Sequence, residues 1–463
     1  PADLTHDSTV RAVISQIDLN TNREVIDNTI NQFDLTTVGR IDVDNASIPK
    51  AIAFSPLGDY MFVAMEGNNA VMVYDSLSFE NASSGVVVAR IAVGLAPQSL
   101  IVDSISNTLW VKNFTGRSVS ALNLADLISI GSVQLSHTEI KTVAEEKLSA
   151  QVLLGKRVFY NADDRRMSAE AYISCASCHA DGGHDGRNWD FTGRGEGMRN
   201  TIPLNGRGGT AHGRMHWTAN FDEVQDFEND IRNGFGGTGF LTEALWADPD
   251  RQSPLGSLPK SGHSAELDAL AAYLSSLSSD STPRSSHRNA DGTMTAAAVA
   301  GQTHFTALNC TSCHVPESGY RDGIPHNVGT FLPVSGMGMS APLTGIDTPT
   351  LLDISHTAPY FHHGVAETLE DVFHIAGGTT YEAESLIPLG GGVTLRPAVG
   401  GQRLSILINY DNTSYSGFAQ ITGNGSGLQM VDVDGGTGGS SGLLIRAYST
   451  RTQPHTFTIV ANI

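Results

Sequence analysis

The chain has 463 residues, 40% of them hydrophobic, and its 28 Lys and Arg against 48 Asp and Glu give a formal net charge of −20. This length exceeds what one hydrophobic core usually supports, so several domains are expected. The acidic charge argues against nucleic acid and anionic membranes as partners, because both attract a surplus of Lys and Arg. No segment approaches the ~20 apolar residues of a transmembrane helix, and the N-terminus lacks a signal-peptide pattern, so we expect a removed signal or a longer precursor.

Residues 1–135 contain a repeated pattern of alternating apolar and polar residues. The stretch from Pro49 to Asp75 aligns without a gap to the stretch from Pro97 to Asn123, which gives a period of 48 residues. The alternation between Gly, Asn and Asp turns predicts strands, and β-propeller blades repeat at about 40 to 50 residues. The segment resembles YVTN-type propeller repeats, with residues 14–43 as a third blade. Because rings usually have about four to eight blades, the missing blades are expected upstream, on a partner, or are absent.

Helical periodicity follows the repeats. Apolar spacing predicts helices over residues 142–161, 264–278 and 295–308, and the stretch between the first two is rich in glycine, as expected for loops laid over a prosthetic group. The pattern predicts two mainly α domains, residues 140–283 and 290–378.

Two Cys-x-x-Cys-His motifs contain every cysteine of the chain. This spacing is the attachment signature of c-type haem, in which two thiols form thioethers and the histidine ligates the iron. Each pair could instead be half of a zinc site or a redox dithiol. A histidine directly after both pairs is unexpected under either alternative. We therefore predict two covalently bound haem c groups, attached at Cys175, Cys178, Cys310 and Cys313 and ligated by His179 and His314.

Short alternating segments return after residue 378. Strands are predicted near residues 392–395, 404–408, 442–447 and 456–460, separated by Gly, Ser and Asn turns. They indicate a β-sandwich-like domain over 379–463 with a tethering or packing role. The predicted fold is thus multidomain: a partial β-propeller, two mainly α cytochrome c domains and a C-terminal β-sandwich-like domain.

Residues 148–376 resemble the bacterial dihaem cytochrome c peroxidase and MauG superfamily. Beyond the two cysteine motifs, the resemblance rests on Leu154 to Phe159, Arg199 to Pro203, Asp347 to Leu351, Thr357 to Gly364 and Thr368 to Val372. It implies that the first haem, in domain 140–283, is peroxidatic and that the second, in domain 290–378, transfers electrons. It also implies that Trp217, at the family's tryptophan position, relays electrons between the haems.

The resemblance suggests different iron coordination at the two haems. The family's distal histidine aligns near Gly193, where none is present, so the first haem is expected to be open, with His184, His212 and His216 as alternative ligands. For the second haem, Ala376 aligns with the family's distal methionine or tyrosine. His374 is the predicted substitute ligand. Met337 and Met339 are the alternative, and would raise the haem potential.

Two further roles are expected at this site. The family's acid-base glutamate aligns with Gly234 to Gly239, which has no carboxylate, so Glu228 on a nearby predicted helix becomes the candidate, with Asp226 on the solvated face. A family calcium ion is implied, with ligands from the side chain of Asn200 and the carbonyls of Thr357 and Pro359; such oxygen donors suit Ca²⁺.

These observations predict an exported, peroxide-dependent oxidoreductase of the peroxidase or MauG type. Covalent haem attachment implies export, so a periplasmic, extracellular or cell-surface location is expected. The expected partners are a redox protein or small electron donor, with hydrogen peroxide as substrate. The alternative is a non-enzymatic electron carrier or cell-surface redox scaffold, for which the propeller and C-terminal domain supply docking.

Overall fold

The computed structural model of the chain describes residues 12–24, 40–43, 45–76, 87–282, 285–331 and 335–376, together with strands between 387 and 462. Internal contacts group the chain into two compact units. Unit 1 comprises Pro1–Gly182, Gly208–Ala211 and Phe221–Ser278; unit 2 comprises Gly183–Arg207, His212–Asn220 and Ser279–Ile463. The first cysteine motif lies in unit 1 and the second in unit 2. In the described parts of the chain, no helix has the length and apolar content needed to cross a bilayer.

Two four-stranded antiparallel sheets form at the positions of the two sequence repeats in unit 1. Their strands pair in chain order, β5 to β8 and β9 to β12. Shorter pairs precede them: β1 pairs with β4, and β2 with β3. The predicted strands of the repeat are found, while their assignment to propeller blades stays a prediction. The bounds are β1 Ala12–Ser15, β2 Ile17–Asp18, β3 Arg23–Glu24, β4 Arg40–Val43, β5 Pro49–Phe54, β6 Tyr60–Met65, β7 Ala70–Asp75, β8 Val87–Ala92, β9 Pro97–Asp103, β10 Thr108–Asn113, β11 Ser118–Asn123 and β12 His137–Lys141.

The two sheets share one hydrophobic core. Alternation along the strands directs Phe62 and Val73 of one sheet and Leu109 and Leu122 of the other into a single buried cluster. All four side chains are fully buried. Burying side chains of this size contributes about 1.5–3 kcal/mol each, so this cluster holds the sheets together.

Helices occupy the rest of unit 1. Ser149 caps α2 by accepting a hydrogen bond from the Val152 N–H, so this helix begins later than the predicted residue 142, which directly follows β12. Ser264 caps α7 in the same way, as predicted. The bounds are α1 Ala125–Ile130, α2 Ala150–Tyr160, α3 Cys175–Cys178, α4 Phe227–Asn233, α5 Glu243–Trp246, α6 Pro249–Gln252 and α7 Ala265–Ser276.

Helices α2 and α7 pack closely because α2 carries a glycine at the contact. A Cβ atom on Gly155 would lie only 1.8 Å from the Ala269 carbonyl oxygen, so no larger residue fits without separating the helices. One turn later, the rings of Phe159 and Tyr273 meet edge to face with their centroids 5.1 Å apart. This packing sets the position of the chain that leads into the first cysteine motif.

Unit 2 contains short strand pairs and two helices among its described residues. Strands β13 and β14, β15 and β18, and β16 and β17 pair antiparallel, and Thr295 caps α8. Over residues 290–376 the structure is less helical than the predicted mainly α domain, because the glycine- and proline-rich segment between α8 and α9 forms loops. The bounds are β13 Asn188–Asp190, β14 Met198–Asn200, α8 Ala296–Ala307, β15 Pro325–His326, β16 Met337–Gly338, β17 Ala341–Pro342, β18 Ile346–Asp347 and α9 Leu369–Ala376.

The C-terminal part of the chain forms strands, as predicted. Strands β19 to β23 pair in chain order, β24 pairs with β22, and β25 pairs with β26. The β-sandwich-like arrangement and the four domain boundaries stay predictions. The bounds are β19 Ile387–Pro388, β20 Val393–Leu395, β21 Arg403–Tyr410, β22 Thr413–Ile421, β23 Leu428–Gln429, β24 Val433–Asp434, β25 Leu444–Thr450 and β26 Thr456–Asn462.

Candidate functional site

The first cysteine motif forms a single helical turn, α3. The Ser174 N–H donates to the Ser177 hydroxyl at 3.0 Å, and the His179 N–H donates to the Cys175 carbonyl at 2.9 Å. These bonds place the two half-buried thiols on one turn and His179 directly at its end. Two neighbouring thiols followed at once by an imidazole are the groups that covalent haem attachment needs.

The surroundings of Cys175 are apolar. Its side chain packs against a cluster of Val158, Met167 and Ile231. Burial raises the pKa of the Cys175 thiol to about 12. Redox dithiols and zinc ligands act as thiolates, so this environment disfavours both alternatives at the first motif.

Two loops from the strands of unit 1, one before β5 and one between β6 and β7, hold the first motif in place. The hydroxyls of Ser47 and Ser177 lie 2.7 Å apart, and the Asn68 amide donates to the Ala171 carbonyl at 2.7 Å. Asn68 also accepts a hydrogen bond from the Ser47 N–H at 2.6 Å. The sheets therefore buttress the turn that carries Cys175 and Cys178.

The second cysteine motif repeats this local geometry in unit 2. The His314 N–H donates to the Cys310 carbonyl at 2.9 Å. The His314 ring nitrogen Nδ1 lies 3.0 Å from the Tyr320 carbonyl, so Nδ1 carries the proton and donates. This bond leaves Nε2 as the ligating nitrogen and fixes the orientation of the ring, as is common for metal-bound histidines.

A different metal-ligand set also lies at the second motif. Ligand atoms of Cys313, Asp322 and His326 lie within 4.8 Å of one another, and His326 Nε2 is 2.6 Å from Asp322 Oδ2. A metal ion held here would need the Cys313 thiolate, which haem attachment would consume. The two occupants of the second motif are therefore mutually exclusive.

The residues predicted for calcium and electron relay lie together in unit 2. The Trp217 indole N–H donates to the Asn200 carbonyl at 2.8 Å, and the Asn200 side-chain amide contacts the Pro359 carbonyl. The side-chain oxygen of Asn200 is buried without a hydrogen-bond partner. Since the two ends of an amide group exchange by a half-turn, this oxygen and the Pro359 carbonyl would converge on a shared cation. Thr357 is two residues away along the chain.

Two stacked histidines lie beside this group. The rings of His362 and His363 stack with their centroids 4.2 Å apart, and both side chains are buried. His362 bonds to the Ser335 hydroxyl at 2.8 Å, whereas neither ring nitrogen of His363 has a partner. Both polar atoms of the nearby Asn188 side chain are also buried without a partner. No sequence pattern predicts this group of unsatisfied atoms, which fits a site for water or a cation.

We expect the stacked histidines to make the protein acid-sensitive. Burial, together with the positive charge of Arg199, lowers the pKa of His363 to about 3, and burial lowers the pKa of His362. As the pH falls, these histidines are protonated in the unfolded chain before they are protonated in the folded protein. The free energy of unfolding is therefore highest above about pH 6.5 and decreases below it, by about 1.4 kcal/mol per pH unit for each histidine. His363→Gln should flatten this slope in urea unfolding between about pH 6 and 4. The exposed control His287→Gln should not, and an unchanged slope for His363→Gln would contradict the assignment.

Glu228 is fully buried and has structural contacts. Its carboxylate pairs with Arg232 Nε at 2.7 Å and accepts the backbone N–H groups of Phe240 and Leu241. These contacts hold the Glu228 side chain in place, and its predicted acid role stays a prediction. The expectation that Asp226 faces solvent is wrong, because it is 1% exposed and pairs with buried Lys260.

The alternative distal ligands are mostly engaged or exposed. Both ring nitrogens of His184 are bonded, to the His356 carbonyl and the Gly186 N–H, and His216 bonds to the Asn220 side chain at 2.7 Å. Met337 and Met339 are 41% and 47% exposed on the β16–β17 hairpin. His374 lies in α9, but its side chain is outside the described residues. The ligand role of His374 therefore stays a prediction.

Part of the chain is similar to known proteins. Residues 149–233, which include the first cysteine motif, match the sequence model of the di-haem cytochrome c peroxidase family. The chain is 28% identical over 260 residues to the hydrazine synthase subunit gamma of Kuenenia stuttgartiensis, an alignment covering 46% of this chain and 67% of that protein. The chain was also compared with a solved structure of a MauG-like protein associated with microbial copper homeostasis. The two are 22% identical, the match covers 54% of this chain and 79% of that one, and the TM-score is 0.35. The family model thus matches the part of the chain around the first cysteine motif, and it does not reach the second.

Proposed function

We propose that the protein is an exported di-haem c-type cytochrome that catalyses a peroxide-dependent oxidation. The observation that carries the proposal is that both Cys-x-x-Cys-His motifs fold alike, with the histidine N–H bonded to the carbonyl of the first cysteine at 2.9 Å in each. The bond from His314 to the Tyr320 carbonyl adds the ring orientation that iron ligation requires. The family match over residues 149–233 supports the same assignment.

When bound, the haems would supply the redox chemistry. His179 and His314 would hold the irons, and the paired thiols would fix the porphyrins in orientation. Reduction of one hydrogen peroxide to two waters consumes two electrons and two protons, so electrons must reach the first site from the second or from an oxidised substrate. Trp217 is the proposed relay. Its indole N–H donates a hydrogen bond to the Asn200 carbonyl, which holds the ring in one orientation.

Peroxide reactivity tests the function and separates an enzyme from a carrier. We expect ferric EPR to show one high-spin and one low-spin haem, with the high-spin signal lost on adding hydrogen peroxide. Trp217→Phe removes the easily oxidised indole and should slow turnover with a reducing donor by at least about tenfold, a barrier change of about 1.4 kcal/mol. The matched control is Trp189→Phe, whose indole N–H bonds to Asp185 and Thr201 in the same unit.

The outcomes are separable. Two six-coordinate haems inert to peroxide would favour the carrier function. Normal turnover in Trp217→Phe would leave the enzyme and remove the relay. Periplasmic or cell-surface location is part of the proposal, because the attachment chemistry of c-type haem implies export, and the redox partner would be a protein or small electron donor.

We further propose a calcium ion at Asn200, Thr357 and Pro359. The buried, unpartnered Asn200 oxygen beside the Pro359 carbonyl fits a hard cation that prefers oxygen ligands. Calcium at 100 times its dissociation constant should stabilise the protein by about 2.7 kcal/mol. Thermal unfolding with and without a chelator measures this effect, and Asn200→Ala should abolish it. Equal melting temperatures after verified calcium removal would refute the site.

A further inference from the structure

A cluster of charged side chains in unit 2 has two arginines, Arg207 and Arg321, and one carboxylate, Asp347. Arg321 is 3% exposed and pairs with Asp347, and its Nε also donates to the Thr348 carbonyl at 3.0 Å. Its terminal nitrogen donates to the Arg214 carbonyl at 3.1 Å. Asp347 therefore has its charge matched by Arg321.

Arg207 lies in the same cluster without a matching anion. Its Nε is buried and has no hydrogen-bond partner, and no ion pair involves Arg207 in the parts of the chain that the structure describes. Burial and the nearby positive charge of Arg321 lower the pKa of Arg207 to about 9, against the opposing effect of Asp347. Two guanidinium groups against one carboxylate leave one positive charge uncompensated. Asp322, the other carboxylate near Asp347, pairs with His326 instead.

The cluster lies next to the second cysteine motif. The His212 ring packs against Gly319 so closely that a Cβ atom there would be 2.5 Å from Nε2, and Nδ1 of His212 is buried without a partner. Gly319 directly precedes Tyr320, whose carbonyl orients His314, and Arg321 follows. Burial, followed by the positive charges of Arg321 and Arg207, lowers the pKa of His212. All these groups thus surround the residues that position the second iron ligand.

The Arg207 side chain is half-buried with its Nε buried and unpartnered, and a positive charge in such a place is stabilised by a neighbouring anion. Arginine presents a planar fork of donors that matches a carboxylate. Haem carries two propionate carboxylates at its edge. We propose that Arg207 and Arg321 bind a propionate of the second haem, with His212 as a further polar contact. This inference rests on the proposed di-haem function.

Charge variants in the haem-loaded protein test the proposal by spectroelectrochemical titration. Arg207→Gln removes a positive charge next to the second haem and should favour its ferric form. We expect at least a tenfold lower ratio of reduced to oxidised second haem at fixed potential, equivalent to about 59 mV for one electron. Asp347→Asn removes the negative charge, keeps the shape, and should shift the ratio in the opposite direction. Arg187→Gln removes an exposed arginine of the same unit as a matched control.

The results distinguish the alternatives. Arg207→Gln behaving like Arg187→Gln, or Arg207→Gln and Asp347→Asn shifting the same way, would overturn the proposal. If Arg207→Gln does not retain the second haem, two other variants test the proposal. Asp347→Asn should raise the potential of the second haem, and the charge-preserving Arg207→Lys should keep the wild-type potential. Phosphate raising the melting temperature of the wild type but not of Arg207→Gln would identify a free anion instead. Fewer than two haems by intact mass in the wild type would refute the di-haem function itself.

Discussion

A Cys178→Ala variant is expected to lose stable haem attachment at the first motif while the second haem stays bound. The remaining thiol, Cys175, packs against apolar side chains, and this desolvation raises its pKa to about 12, so it is a poor nucleophile for a vinyl group on its own. Intact mass of the denatured protein and the pyridine haemochrome assay count the covalent haems. Wild type should carry two and the variant one.

The matched variant at the other motif is Cys313→Ala, which should lose only the second haem. It also removes one ligand of the set formed with Asp322 and His326. Metal analysis alongside mass therefore separates the two occupants of this motif. Zinc in place of haem, or two haems retained in Cys178→Ala, would contradict the assignment.

Lys260→Met should destabilise the protein by about 3–5 kcal/mol. The Lys260 ammonium lies 2.6 Å from Asp226 Oδ1, and both side chains are 1% exposed. The variant leaves a buried carboxylate without its counter-ion, which is the costly way to break such a pair. Urea unfolding measures the loss.

Two further variants show whether the charge is responsible. Lys260→Met combined with Asp226→Leu removes both charges and should recover much of the stability, though not the backbone N–H bonds that Asp226 accepts from Asp222 and Glu223. In the exposed pair of Arg90 and Asp163, each 44% exposed, Arg90→Met should cost less than about 1 kcal/mol. A loss below about 1 kcal/mol for Lys260→Met would show that this pair contributes little.

Local features of the fold follow well from the sequence. The strands of the repeat and helices α7 and α8 appear where the apolar period predicts them, because period and capping residues are local properties. Helix α2 begins seven or eight residues later than predicted, at the Ser149 cap, which a search for capping residues would have found.

The candidate site was predictable only where its residues are adjacent in the sequence and form a recognisable motif. The Cys-x-x-Cys-His spacing predicts both attachment sites from five adjacent residues each. The contacts of Glu228 with Arg232 and the Phe240 N–H could not be predicted, because they depend on how the chain folds back. The charge cluster of Arg207, Arg321 and Asp347 joins residues more than 100 positions apart, and no single-sequence pattern reports such long-range electrostatics.

The contact between the Ser47 and Ser177 hydroxyls has a consequence for maturation. It joins positions 130 residues apart and closes the turn that carries the first two thiols. The strands of both sheets precede the motif in the chain, so Ser47 belongs to a region that can fold as a unit of its own. Under the proposed haem attachment, both half-buried thiols must be reachable when the vinyl groups react, so capture of Ser177 by Ser47 would compete with attachment. Ser47→Ala removes this contact and would leave the thiols reachable for longer. The yield of haem-loaded protein would therefore depend on the rate of haem attachment relative to the rate of folding around the motif.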